Sequence, residues 1–232
     1  LLGGVILSKP LKIFLLIFAV LVIGFALFVY FSFAGLPWKK ITVGNATLAY
    51  LQQKYDEEFE IEDRFYNFKD GSYGIKVHPV KEPTMSFYAE EGWGNDKFID
   101  YYPEAVWVKQ ADQDFKEIVR EIFPEKRRYR VDTVSGEGME KVKKLPIPHY
   151  IDANAYIDVL VNLPKIFDES DAELERIMKL IQFAQQNGGN IHLFLAYEPN
   201  EEDTKNVTYI TLTNEQIKQI NSIEDIKKYY NK

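Results

Sequence analysis

From Ile13 to Ala34 the chain carries no charged side chain. As a helix rising 1.5 Å per residue, this stretch reaches about 33 Å, against a hydrocarbon core of roughly 30 Å. Lys9 and Lys12 flank it on one side and Lys39 and Lys40 on the other, with Tyr30 and Trp38 near the second boundary. Amines at both ends of an apolar run, with amphipathic rings at one of them, are the pattern of a membrane-spanning segment. A core helix of a globular domain would carry a polar stripe, which is absent here. Ser32-Phe33-Ala34 has the small-x-small form that precedes leader cleavage, but leader cores usually run only about 7–15 residues. The reading is an uncleaved signal anchor at 13–34 after a flank at 1–12, with the lipid bilayer as its partner. The chain opens on Leu1 instead of methionine, which predicts residues upstream.

Two lysines on each flank leave the positive-inside rule undecided. Beyond position 40 the balance is one-sided. Four of the 28 basic residues and none of the 35 acidic ones precede that point, which leaves a formal charge of −11 on the remainder. We therefore expect a cell-membrane protein with a cytoplasmic N-terminus and an extracytoplasmic folded part. The absence of cysteine fits an exported chain that uses no disulfides. The acidic balance argues against nucleic acid, whose binding draws most of its affinity from a basic field.

The pattern beyond the anchor predicts an α+β protein of two small units: 41–140, a linker at 141–149, and 150–232. Lys143-Lys144 followed by Pro146 and Pro148 forbids regular helix and suggests that linker. The first unit reads helix, three strands, helix. Asn45 is placed to cap a helix carrying Leu48, Leu51 and Tyr55. Strands follow around 61–68, at Tyr73, Ile75 and Val77, and at Met85, Phe87 and Ala89, with Lys69-Asp70-Gly71 as a turn. Phe115, Ile118, Val119, Ile122 and Phe123 stripe a helix that Pro124 ends. The second unit reads strand, helix, strand, strand, helix. Ile157 to Leu163 and Ile191 to Leu195 are strands made parallel by the helix between them. That helix has a Ser170/Glu173 capping box, a stripe at Leu174, Ile177, Met178 and Ile181, and Asn187-Gly188-Gly189 at its end. Capping boxes at Thr213/Gln216 and Ser222/Asp225 open the terminal helices.

Signatures of chemistry are sparse. His78, His149 and His192 are isolated, and neither H-E-x-x-H nor a cysteine pair is present, so no metal site is expected. Ser135-Gly136-Glu137-Gly138 lacks the third glycine of a dinucleotide loop and the G-K-[ST] of a P-loop, which leaves a flexible turn and no nucleotide or other cofactor. Asp112-Gln113-Asp114 begins like a calcium loop, but Phe115 and Lys116 stand where ligands should continue. It reads instead as the first turn of a helix. The acidic clusters at 56–58 and 201–203 read as solvated surface. No G-x-S-x-G elbow occurs.

Aromatic residues are abundant, with 15 tyrosines, 16 phenylalanines and 3 tryptophans. Trp93, Tyr101, Tyr102 and Trp107 fall in one segment rich in glycine, asparagine and acids. Two readings follow: core filling, or a recognition surface. The expected function is an interaction module that docks a protein or envelope polymer beside the membrane. The alternative is a carboxylate-dependent hydrolase of envelope glycans, whose paired acids depend on the fold.

Asn45-Ala46-Thr47 with Tyr50-Leu51 and Lys54-Tyr55, then Glu58-Phe59-Glu60-Ile61, Gly71-Ser72-Tyr73, Pro83, Phe87 and Asp100-Tyr101-Tyr102, resembles the YfjL-like group. These are small anchored proteins of Gram-positive bacteria, and the second half is similar to the group's C-terminal domain. The resemblance implies location and architecture and carries over no functional residue.

Overall fold

The computed structural model describes residues 8–92, 97–142, 145–200 and 206–231. It divides into two compact units: residues up to Lys81 with Tyr88–Ile99, and Glu82–Phe87 with Asp100 onward. The architecture is α+β, with one sheet of four strands and one of five.

Helix α1, Lys9–Ala34, starts from an extended Ser8 with proline in its first turn, where a missing N–H costs nothing. None of its residues is buried. It is the one described helix long and apolar enough to cross a membrane. Gly35 ends it with φ 71° while its N–H donates to the Phe31 carbonyl at 3.0 Å. Only glycine fits, because the conformation is left-handed and a Cβ would stand 2.6 Å from Tyr66 Cγ.

Helix α2, Pro37–Tyr55, lies against the hairpin of β1, Phe59–Asn67, and β2, Ser72–Pro79. Strands β3, Phe87–Glu91, and β4, Phe98–Asp100, complete an antiparallel β1–β2 hairpin into a sheet ordered β1-β2-β3-β4. Leu51, Tyr55, Phe59, Ile75, Val77 and Ala89 are buried. The helix starts well before Asn45, because Pro37 is the true first-turn residue. Asn45 lies mid-helix and accepts a hydrogen bond from Arg64 Nη2 at 3.0 Å.

The second unit runs through α3, Tyr102–Ile122; β5, Arg128–Thr133; α4, Glu137–Lys141; and β6, Tyr156–Leu163. Then come α5, Asp171–Asn187; β7, Asn190–Tyr197; β8, Thr208–Leu212; α6, Asn214–Gln219; α7, Ile223–Ile226; and β9, Tyr230–Asn231. The sheet order is β5-β6-β7-β8-β9, with β6 and β7 parallel across α5 and the other pairs antiparallel. Ile157, Val159, Val161, Leu163, Ile191, Leu193, Leu195, Ile210 and Leu212 make its buried face, joined by Phe115 of α3 and Leu174, Ile177 and Ile181 of α5. The Thr213/Gln216 capping box forms. Ser170 Oγ accepts from the Glu173 N–H at 3.2 Å, but the Glu173 carboxylate points elsewhere.

The division expected at 141–149 is therefore corrected. Strand β5 pairs with β6 across that stretch, so α3 and β5 belong to the second unit. Lys143-Lys144 lies outside the described residues. The prolines that follow are stitched onto α3: the Trp107 indole donates to the Pro148 carbonyl at 3.0 Å, and Gln110 accepts from the Tyr150 N–H at 3.0 Å. Asp112 and Asp114 lie in the middle of α3 instead of its first turn, and Asp114 accepts from the Tyr150 hydroxyl at 2.7 Å.

The glycine turn at 135–138 is also held. Glu104 Oε1 accepts from the Gly136 and Gly138 N–H groups, each at 2.9 Å. A Cβ on Gly138 would stand 2.6 Å from Glu104 Oε2. These backbone donors form a small anion cradle of the kind that binds phosphate elsewhere, and here a carboxylate of the same chain fills it. Burial pushes the Glu104 carboxyl above its ordinary 4.5, against the pull of the two N–H donors. Its Oε2 is buried without a hydrogen-bond partner among the described residues. An acid whose pKa rises on folding costs stability as pH climbs past its unfolded value. Glu104→Gln keeps an acceptor for the two amides and cannot ionise. In the full chain in detergent, its melting temperature should gain on the native protein as pH rises from about 4.5 to neutrality; parallel curves would contradict this account. Glu104→Ala should lose about 1–3 kcal/mol by orphaning both amides. Trp107→Ala, which empties a wholly buried site, should cost about 3–5 kcal/mol in denaturant unfolding.

Candidate functional site

Pairing register arranges the polar face of the five-stranded sheet into rows. Asp132, Asp158 and His192 lie opposite one another on β5, β6 and β7. The next row is Arg130, Leu160, Phe194 and Thr211, and the third is Arg128, Asn162, Ala196 and Tyr209. Each of these residues alternates with a core residue, so its side chain stands on the face away from the buried one. No described helix covers that face, and all these positions retain solvent exposure; Tyr209 is 55% exposed.

The second and third rows line an open groove of about 750 Å³. Leu160, Phe194 and Tyr209 supply apolar surface, and Arg128 and Arg130 stand along the edge strand β5. Glu198 organises the far rim: its carboxylate accepts from the Asn162 amide and from the Tyr209 hydroxyl, and its carbonyl from Arg127 Nη2 at 3.1 Å. Arg130 pairs with Asp132 at 2.9 Å. Exposed pairs of this kind contribute little to stability, so the arginine remains available to a ligand.

The first row is a small titratable cluster. The Tyr156 ring stacks on His192 with centroids 4.0 Å apart. Burial pushes the Asp158 carboxyl up, with the nearby Asp132 adding to the rise and Tyr156 and His192 opposing it. Burial pushes His192 down, opposed by Asp158. Both groups are thus moved toward their neutral forms.

The aromatic segment expected to form a surface lands elsewhere. Trp93, with Gly94 to Asp96, lies outside the described residues. Tyr101 is half-buried. Tyr102 is 7% and Trp107 0% exposed, which corrects their assignment to a contact surface. Tyr102 stacks on Phe87 at 4.9 Å, and Trp107 begins the buried stripe continued by Ala111, Phe115 and Val119. The histidines have separate surroundings: His78 Nδ1 lies 2.9 Å from Glu62, and the His149 ring rests on Tyr150. Among the described residues no group of three His, Cys, Asp or Glu is placed to hold a metal ion. The acidic stretch 201–203 is outside the described residues. Strand alternation at 156–163 and 190–197 was the available signal for the groove; the register that joins its rows was not readable.

A second polar cluster is structural. Glu173 accepts from Tyr197 Oη at 2.6 Å, Lys165 Nζ at 2.6 Å and Arg176 Nη1 at 2.8 Å. Arg176 also holds the Ile122 carbonyl and both oxygens of Glu125. Every charge here has partners, and the cluster ties the end of α3 to the start of α5.

No curated protein matches the chain. A crystal structure of a DUF5037 family protein from Ruminococcus gnavus is similar at 14% identity and a TM-score of 0.38, over 76% of this chain and 78% of that one. The family described as YfjL-like, N-terminal domain matches residues 10–91, which take in nearly all of α1, then α2 and strands β1 to β3.

Proposed function

We propose that the protein is a single-pass membrane-anchored interaction module whose open sheet face docks an acidic, partly apolar protein segment outside the cytoplasm. The observation that carries this reading is the groove over β5 to β8, where Arg128 and Arg130 border Leu160, Phe194 and Tyr209. Its cationic rim stands out on a chain of net charge −7. Charge complementarity then favours an acidic partner. The apolar row between the cations favours a polypeptide over a uniformly anionic polymer, which would need an unbroken basic track. Tethering beside the bilayer raises local concentration and lets a modest interface suffice. The anchor itself is supported by the unburied apolar circumference of α1.

Crosslinking in intact cells tests the face. The double variant Arg128→Glu, Arg130→Glu should lose the crosslinked protein while unfolding with nearly the native midpoint, since both side chains are exposed. An unchanged crosslink would remove the groove from consideration. Orientation is tested separately. Lys228→Cys introduces the sole thiol, which should react with an impermeant reagent on intact cells; labelling only after lysis would invert the topology.

The hydrolase reading retains one specific observation. Asp158, with its raised pKa, faces Asp132 across the β5–β6 pair, as a general acid beside a second carboxylate would. Digestion of cell-wall material by the native protein, lost in Asp158→Asn, would favour it.

A further inference from the structure

We infer that the tip of the β1–β2 hairpin is a second membrane contact, with Phe68 seated in the lipid interface beside the outer end of α1. The inference rests on the reading of α1 as a membrane span and extends it to a part of the folded domain. With Ile13–Ala34 filling about 33 Å of a roughly 30 Å core, Phe33 falls at the outer boundary of the hydrocarbon. The Phe68 ring packs on Phe33 with centroids 5.7 Å apart. Whatever depth Phe33 takes, Phe68 shares.

The hairpin is fixed to that junction. Tyr66 packs where a Cβ on Gly35 would be, and the Leu36 N–H donates to the Tyr73 hydroxyl at 2.9 Å. Lys39 Nζ sits 4.7 Å above the Tyr73 ring and 3.9 Å from Glu91, whose carboxylate accepts from the Tyr73 N–H at 3.0 Å. The turn closes on itself, with the Gly71 N–H donating to the Asn67 carbonyl at 2.8 Å and the Asn67 amide donating to Asp70 at 2.5 Å.

Packing within the protein does not account for Phe68. It is 53% exposed and Phe33 63% exposed despite their contact. A hairpin turn normally presents polar side chains, and this one presents a benzyl group next to Lys69. On the other side of α1, Trp38 leans on Phe31 at 6.3 Å and is likewise exposed. Positions 31 and 33 are about 200° apart around a helix, so rings flank the boundary from nearly opposite sides. Lys39, Lys40 and Lys69 accompany them, the combination of aromatic and basic groups that settles at a headgroup boundary.

Because the chain lacks cysteine, Phe68→Cys, Phe25→Cys and Gln53→Cys each give a single site for bimane labelling of the full-length protein. Each is reconstituted in phosphatidylcholine and phosphatidylglycerol vesicles carrying a doxyl quencher near the headgroup end or the methyl end of the acyl chain. Bimane at 68 should lose about half of its emission to the headgroup-end quencher and little to the other, as expected at the interface. Bimane at 25 should be quenched from within the hydrocarbon, and bimane at 53, two residues before the far end of α2, should be unaffected. Quenching at 25 without quenching at 68 overturns the inference while leaving the anchor intact. Absence of quenching at both overturns the anchor as well. Equal quenching at 53 and 68 would mean that the whole unit lies on the surface, and it too overturns a contact specific to the tip.

Discussion

The first unit is built on the end of a helix that no core buries. Residues 13–34 are apolar around the full circumference and none is buried, so no core supplies the energy that most helices obtain from one; on the proposed reading it comes from lipid. Whatever surrounds it, the helix must end where the folded unit begins, and the chain must turn there without leaving backbone groups unpaired. Gly35 meets both conditions. Its left-handed conformation closes the last turn, and its missing side chain admits Tyr66. The hairpin, α2 and the sheet are built outward from that point.

The second unit depends on a one-sided sheet. Helices satisfy the buried face, while buried charges are matched individually. Glu104 is met by two amides and Glu173 by a hydroxyl, an ammonium and a guanidinium. Both carboxylates are almost wholly removed from water, and their partners place them in the framework. Arg128 and Arg130, exposed, and Asp158 and His192, half-buried, stand on the other side of the sheet from that core, and this side carries the candidate site.

Local periodicity made most elements legible. The α5 stripe at Leu174, Ile177 and Ile181 and the glycines after it appear as expected, as does the parallel pairing of β6 with β7. Errors arose where one local signal was judged without its long-range partner. Asn45 resembles a helix cap, yet it sits within α2, where its side chain accepts from Arg64 of β1. The prolines at 146 and 148 resemble a domain linker, yet their segment accepts the Trp107 indole. Trp107 itself lies four residues before Ala111 and eight before Phe115, so the stripe that marked α3 already extended to it. The groove was hidden for a different reason: Arg130, Leu160 and Phe194 are far apart in the chain and meet only through strand register, a property of pairs of segments.

The order of strands in the second sheet has a kinetic meaning. β5, β6, β7, β8 and β9 are neighbours in space in the same order as in the chain, so each strand finds its template among residues already synthesised. No strand must wait for a distant partner, and loop-closure entropy stays small at every step. A chain made N-terminus first can assemble this sheet progressively while its later segments are still emerging. Such an order shortens the time during which the apolar faces of β6 and β7 stand exposed to unwanted association.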